Sequence, residues 1–224
     1  MQKLNNRIGL KQLLFITLIL AFVAALSQSF KGTGNEINFG KSSVTINTAV
    51  NKISGNDKAD SDKKKEQESA NAFIEAYRVF MHPRCMNCHP TGDSPLQGDD
   101  SRIHAQNVTR GPDGRGLYAM KCSNCHQSQH IQGEHMPPGL PTWHLPPAHR
   151  KMVFQGKTAA QLATHFKDKN FTGFKDFKKD LLHHVENDPL VKNSWTYGTP
   201  PPLSHEEFVG KVREWIEKGA ATPK

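Results

Sequence analysis

A mainly α-helical domain whose helices are separated by long irregular loops is the fold class that this 224-residue sequence predicts. Three observations predict it. Apolar residues recur at helical spacing in four stretches, and no strand pattern approaches them in strength. The segments between are dense in proline and glycine, and they are far longer than the few residues that usually join two elements. The chain also carries one pattern twice, Cys85-Met86-Asn87-Cys88-His89 and Cys122-Ser123-Asn124-Cys125-His126, and these two C-x-x-C-H runs use all 4 of its cysteines.

The elements follow in order. Residues 69–82 read as a helix with Phe73, Tyr77 and Phe80 on one stripe, Ser69 as N-cap and Pro83 closing the run. Residues 90–121 are loop, punctuated by Pro90, Gly92, Pro95, Gly98, Gly111, Pro112, Gly114 and Gly116, with Asp99-Asp100 reading as a turn or an N-cap. Residues 127–157 are as irregular, with five prolines between Pro137 and Pro147. A helix over 158–168 starts at Thr158 and carries Leu162 and Phe166. Another over 174–187 aligns Phe174, Phe177, Leu181 and Val185; His184 shares that face, while His183 points away with Asp180 and Asp176. The last helix opens with the capping box Ser204-x-x-Glu207. Its stripe is Phe208, Val212, Trp215 and Ile216, and Gly219 suits the C′ position. This aromatic helix is expected to pack on the first.

The repeated pattern has a chemical reason. Two thiols three positions apart, on one turn of backbone, can add to the two vinyl groups of one haem, and the adjacent histidine then lies under the ring to bind iron as proximal ligand. Two disulfides would leave the two identically placed histidines unexplained. A four-thiolate zinc site would also leave them idle, across a gap longer than a zinc ribbon uses. A thioredoxin-like motif expects a βαβ context, and none is visible. Cys85, Cys88, Cys122 and Cys125 are therefore expected to hold two covalent haems, with His89 and His126 on the irons. A haem offers apolar surface around which irregular chain can wrap. The flanks of the motifs differ, and the 32 residues between His89 and Cys122 are too few for a separate domain. Two close haems in one domain are expected, with helices like those of small cytochromes c, which also begin with a helix leading into C-x-x-C-H.

The sixth iron ligand sets function: methionine raises the potential, histidine lowers it, and an open position admits small molecules. Met136-Pro137-Pro138 resembles the Met-Pro loop of some small bacterial cytochromes c. His144 sits in an apolar run, Trp143 to Pro146; His104 lies between the motifs; His184 faces a helix core. His82 lies too close to its own motif but can serve the other haem, and Met81, Met86 and Met120 are too close to theirs.

Ahead of this domain, residues 1–27 read as a secretory signal peptide or an uncleaved anchor. Lys3, Arg7 and Lys11 form a basic start, Leu13 to Leu26 a largely apolar run, and Ala25-Leu26-Ser27 a cleavage site before Gln28. Residues 28–68 are polar and read as a flexible spacer, where Val44, Ile46 and Val50 could form a short strand without an evident partner. The signal supplies +3 of the net charge of +8, the spacer +1 and residues 69–224 the remaining +4. Those last charges are scattered, and four haem propionates would roughly offset them. With export, this argues against nucleic acid as a partner. All 12 histidines lie in 69–224.

Residues 74–222 resemble the small exported bacterial di-haem cytochromes known as isoquinoline 1-oxidoreductase subunits. The likeness is carried by Arg78-Val79-Phe80, His82 to Pro90, Gln97-Gly98-Asp99-Asp100, His104, Asn107-Val108, Arg110-Gly111, Ala119 to Cys122, Pro138-Gly139, Trp143-His144-Leu145, Gln155-Gly156-Lys157, His184, Leu190-Val191, Trp215-Ile216 and Gly219-Ala220. The resemblance implies haem at both motifs, favours His104, His144 and His184 over Met136 as distal ligands, and implies a molybdenum-containing hydroxylase as the redox partner. Nothing in these residues reads isoquinoline itself. The expectation is a periplasmic di-haem c-type electron carrier with no catalytic residues of its own. Its rivals are a small di-haem oxidase or peroxidase with one open iron, which CO or cyanide would bind, and a zinc-stapled binding module.

Overall fold

The computed structural model describes residues 46–133 and 136–224, with backbone alone for 46–57. The chain divides into two compact units, Met1–Asn51 and Lys52–Lys224. The signal segment, and the spacer as far as residue 45, lie outside the described residues.

The described chain is mainly helical. Helix α1 spans Ile46–Phe80, α2 Pro83–Met86, α3 Ala159–Phe166, α4 Lys169–Thr172, α5 Phe177–Asn187, α6 Pro189–Asn193 and α7 His205–Glu217. The two long segments expected to be loops are largely irregular. They contain two hairpins that the sequence did not announce: β1 (Leu96–Gln97) pairs antiparallel with β2 (Arg102–Ile103), and β3 (Gly116–Leu117) with β4 (Met120–Lys121). Each strand is two residues long, too short for any alternating pattern. Among the described residues no helix is long and apolar enough to cross a membrane.

Helix α1 departs from expectation at its start. Residues 46–68 are helical rather than a spacer, and Ile46 and Val50 belong to the helix rather than to a strand. Lys58 to Gln67 are exposed, so composition correctly reads that they bury little. Their lysines, glutamates and alanines are nevertheless strong helix formers, and the packed turns from Ser69 onward remove the nucleation cost of extending the helix backwards. Ser69 consequently caps nothing. It is fully buried, donates its hydroxyl to the Trp215 carbonyl at 2.8 Å and accepts from the Ala221 amide at 3.0 Å, and so ties α1 to the end of α7.

The core is an aromatic seam between α1 and α7, as the stripes predict. The Phe73 and Trp215 rings lie 4.6 Å apart, and Phe80 meets Phe208 edge-on at 5.1 Å. Phe166 of α3 closes the group at 4.8 Å from Phe80. Such tilted and edge-on pairs are the geometry that ring quadrupoles prefer. The helix ends are where the sequence puts them. Thr158 and Ser204 each complete a capping box, with Gln161 and Glu207 respectively. Past α7, the Ala220 amide returns to the Trp215 carbonyl at 2.8 Å and the Gly219 amide to Ile216 at 3.2 Å, a Schellman closure. Helix α5 begins at Phe177 rather than Phe174, because the Asp176 carboxylate takes the Lys178 and Lys179 amides and fixes the cap there.

Ser69→Ala is expected to lower stability by about 1–3 kcal/mol, because it strands the Ala221 amide in the interior, whereas Ser204→Ala should cost about 1 kcal/mol, the loss of one cap. Urea unfolding of the two variants checks the order; equal and small losses would contradict the tie between α1 and α7.

Candidate functional site

Both C-x-x-C-H runs form a single helical turn. In the first, α2 opens on His82, whose Nδ1 accepts from the Arg84 amide, with Pro83 in the first turn, where its missing N–H costs nothing. The turn continues with Cys88 N–H donating to Cys85 O and His89 N–H to Met86 O. The second turn is a 3₁₀ helix over Cys122–Asn124, with the Cys125 and His126 amides both returning to Cys122 O. All four cysteines are free thiols, not disulfides. Burial pushes the Cys85 thiol up to about 12 and Cys88 up to about 11, with Cys122 adding to the latter. Both thiols of the first turn are therefore neutral at ordinary pH. Among the described residues no group of three or more potential metal-binding side chains converges. Cys88 and Cys122 line one cavity, so the two motifs lie close together.

The two motif histidines have matching surroundings, although the flanking sequences differ. His89 donates Nδ1–H to the Met152 carbonyl at 2.8 Å, and His126 to the Pro138 carbonyl at 2.7 Å. A carbonyl can only accept, so in each neutral ring the proton sits on Nδ1 and Nε2 presents a lone pair. Each ring is also stacked flat on an aromatic: His89 on Phe154 at 3.9 Å and His126 on Trp143 at 4.2 Å, both 6° from parallel. Burial lowers His89 to about 3 and lowers His126 as well. Both rings are therefore neutral, the form that ligates metal. A second ring nitrogen fixed by a carbonyl is the usual setting of a metal-bound histidine.

Two cavities adjoin at these turns. The larger, about 1000 Å³, is lined by Cys88, Cys122, Cys125 and His126 with Leu96, Val108 and Pro138; the smaller, about 250 Å³, by Cys85, Cys88 and His89 with Phe80, Phe154 and Leu181. Arg84, Cys88, Trp143 and Tyr197 line both and so form the wall between them. The larger has the volume of a site for a sizeable ligand. The smaller lies below that range, and its fit rests on the chemistry of its lining.

The candidate distal residues all reach these cavities. His104 lines the larger one, its ring centroid 6.3 Å from that of His126. His104 is thus near enough to His126 that the two would be the residues to hold a metal there. His184 and His144 line the smaller cavity with His89. Each of the three has Nδ1 engaged: His104 on the Ala105 carbonyl at 2.9 Å, His144 on the Thr142 carbonyl at 2.5 Å, and His184 on the Asp188 carboxylate at 3.2 Å. His205 is tied through Nε2 instead, to the Val185 carbonyl, and His82 accepts through Nδ1. The tautomers thus separate the five candidate ligands from these two. Met136 also lines the larger cavity, at its exposed rim.

Sequence reasoning missed the dividing wall. Arg84 is buried, pairs with Asp99, donates from Nε to the Thr199 carbonyl at 3.2 Å and sits 4.7 Å over the Tyr197 ring. Its place immediately before Cys85 was the available signal. Phe154 and Trp143 gave no sign of their stacking. Trp195 and Trp215 belong to the core, with Nε1–H donating to the Leu203 and Ala221 carbonyls.

Gly114 sits where the second turn meets the chain at Leu145. Its φ is +79°, and a Cβ would collide with the Leu145 carbonyl. Gly156 has a similar φ of +73° with open space around it. Gly156→Ala should therefore cost about 1 kcal/mol from backbone strain alone, and Gly114→Ala clearly more, as read by denaturant unfolding; equal costs would remove the close approach as the reason for Gly114. Neither a family model, nor a curated protein, nor a solved structure matches this chain.

Proposed function

We propose that the chain is an exported di-haem c-type electron carrier. The observation that carries this reading is the duplicate environment of His89 and His126, each on a C-x-x-C-H turn, each with Nδ1–H on a backbone carbonyl and each stacked on an aromatic ring. Disulfides account for none of these three features, and a four-thiolate zinc site gives the two histidines no part. Cys85 and Cys88 would hold one haem and Cys122 and Cys125 the other, by thioether bonds. Thioethers are neutral, which suits the Cys85 and Cys88 thiols that burial already keeps uncharged.

Haem supplies one-electron chemistry when bound; the protein supplies ligands, burial and charge. His104 is the favoured partner of His126, on the 6.3 Å separation of their rings. His184 is favoured over His144 for His89, because its Nδ1 is held by the partly buried Asp188 carboxylate whereas that of His144 is held by a backbone carbonyl two residues away. Two histidines on each iron leave no open position, which favours a carrier over a peroxidase-like enzyme and implies low potentials. Cys125 is exposed, and Tyr118, at the tip of the neighbouring β3–β4 hairpin, is 89% exposed. The second site is accordingly the one that would exchange electrons with partners, and the first the more insulated store. A molybdenum-containing hydroxylase as donor rests on the family resemblance alone.

Pyridine haemochrome analysis of protein made with the c-type maturation machinery tests the reading. Two covalent haems per chain are expected; none, with about one zinc per chain, would replace it with a metal-stapled module. In the haem-loaded protein, His104→Ala and His184→Ala should each convert one haem to a high-spin form that binds CO when reduced, while the parent binds little. A parent that binds CO readily at one iron would instead favour the enzymatic reading.

A further inference from the structure

Five of the histidines that line the two cavities have Nδ1 engaged. Four rest it on a neutral backbone carbonyl: His89 on Met152, His126 on Pro138, His104 on Ala105 and His144 on Thr142. His184 is the exception. Its Nδ1 lies 3.2 Å from Oδ2 of Asp188, four residues on. The backbone keeps the pair in register, because the Asp188 amide donates to the His184 carbonyl at 3.0 Å where α5 ends. The other carboxylate oxygen, Oδ1, accepts from the Leu190 amide at 2.8 Å and caps α6. One side chain thus serves two elements, one oxygen for each.

The surroundings single out this carboxylate. Asp188 and His184 both line the smaller cavity, with Cys85, Cys88 and His89, and Asp188 is the only acidic residue among the described residues that line it. Its one ion-pair partner among the described residues is His184, and its side chain is 28% exposed, so water screens it only in part. The arginines that line the same cavity are placed elsewhere: Arg84 is taken by Asp99, and the Arg150 guanidinium lies against Gly173. Capping α6 needs no charge, since Asn and Ser cap as well as Asp. The charge is left to act on the imidazole.

We propose that Asp188 is a positioning residue that, acting through His184, lowers the reduction potential of the haem held by Cys85, Cys88 and His89. The inference rests on the di-haem reading above, with His184 as the ligand opposite His89. A carboxylate on the far ring nitrogen fixes the tautomer and orientation of the ring and makes the bonding nitrogen a stronger donor. Iron(III) carries one more positive charge than iron(II) and gains more from that donor. On reduction one electron passes from the electrode to iron(III), which becomes iron(II); no bond breaks, and the proton stays on Nδ1 of His184. His104, on a neutral carbonyl, gives the second haem no such bias.

The test is a spectroelectrochemical titration of the full haem-loaded chain, fitted to two one-electron steps, on the parent, on Asp188→Asn, and on Asp188→Asn combined with His184→Ala. Asn keeps the cap and removes the charge. Asp188→Asn should raise one potential by at least tenfold in the one-electron equilibrium, ~59 mV, and shift the other much less. The displaced step should be the one whose spectrum turns high-spin in His184→Ala, and most of the shift should vanish in that background. Should Asp188→Asn fail to mature, Asp188→Ser keeps a cap without charge and carries the same expectation. Unchanged potentials, a fall, an equal shift of both, or a shift that survives whole without His184 would overturn the proposal. A parent without covalent haem, or one whose haems both stay low-spin in His184→Ala, would instead fail the reading beneath it.

Discussion

The site depends on two hydrogen bonds that join distant parts of the chain. The Nδ1–H of His89 reaches the Met152 carbonyl across 63 positions of sequence, and that of His126 reaches Pro138 across 12. Each does two things at once. It fixes the tautomer, so that Nε2 is left as the only lone pair on the ring, and it anchors a stretch of irregular chain that has no ladder to hold it. Around His89 the anchoring is reinforced, because its own carbonyl accepts the Phe154 amide at 2.9 Å. Phe154, two residues after the Met152 carbonyl, thus lies flat against the imidazole. One short segment supplies the hydrogen-bond acceptor, the stacking ring and the backbone return.

That arrangement needs a rigid base, which the helices provide. The seam of Phe73, Phe80, Phe208 and Trp215 fixes α1 against α7, and Phe80, one turn before the first motif, is shared between that seam and the smaller cavity. Phe154 meets Phe80 at 5.6 Å and Phe166 at 5.7 Å, so the ring that stacks on His89 is itself part of the core. The second motif has no such backing. Trp143, which stacks on His126, is only half-buried, and beyond it lie two-residue hairpins and loop. The two motifs therefore share the setting of their histidines and differ in burial, and burial is one of the quantities that would set the potential of a haem held there.

The helices were legible because their signals are local. A stripe such as Phe208, Val212, Trp215 and Ile216, or a box such as Ser204 with Glu207, is complete within one turn or two. Ser69 was misread for the same reason: a serine before an apolar stripe looks like a cap, and only the approach of α7 turns it inward to Trp215 and Ala221. Residues 46–68 were misread because composition reports what a segment can bury, not whether a packed helix can extend through it. The two C-x-x-C-H runs stood out because the chemistry expected of them fixes their spacing. Phe154 and Tyr197 did not, since they enter the site from positions far from either motif, and nothing local distinguishes them from core residues.

The two buried arginines show what that long-range assembly adds. Arg84 and Arg110 lie on either side of the first motif in sequence, and each is close enough to Cys88 for its charge to act on the thiol. Arg84 is neutralised by Asp99, and its plane is spent on Tyr197, which is a structural use: it pins the 197–199 loop that helps wall the two cavities. Arg110 is neutralised by nothing among the described residues and is held by a single carbonyl. A guanidinium needed only for packing would be replaced at little cost by an apolar side chain of similar volume, since removing an unpaired buried charge is usually stabilising. The two arginines nearest the first motif are thus held in opposite ways, one neutralised and stacked, the other buried with two donors unpaired.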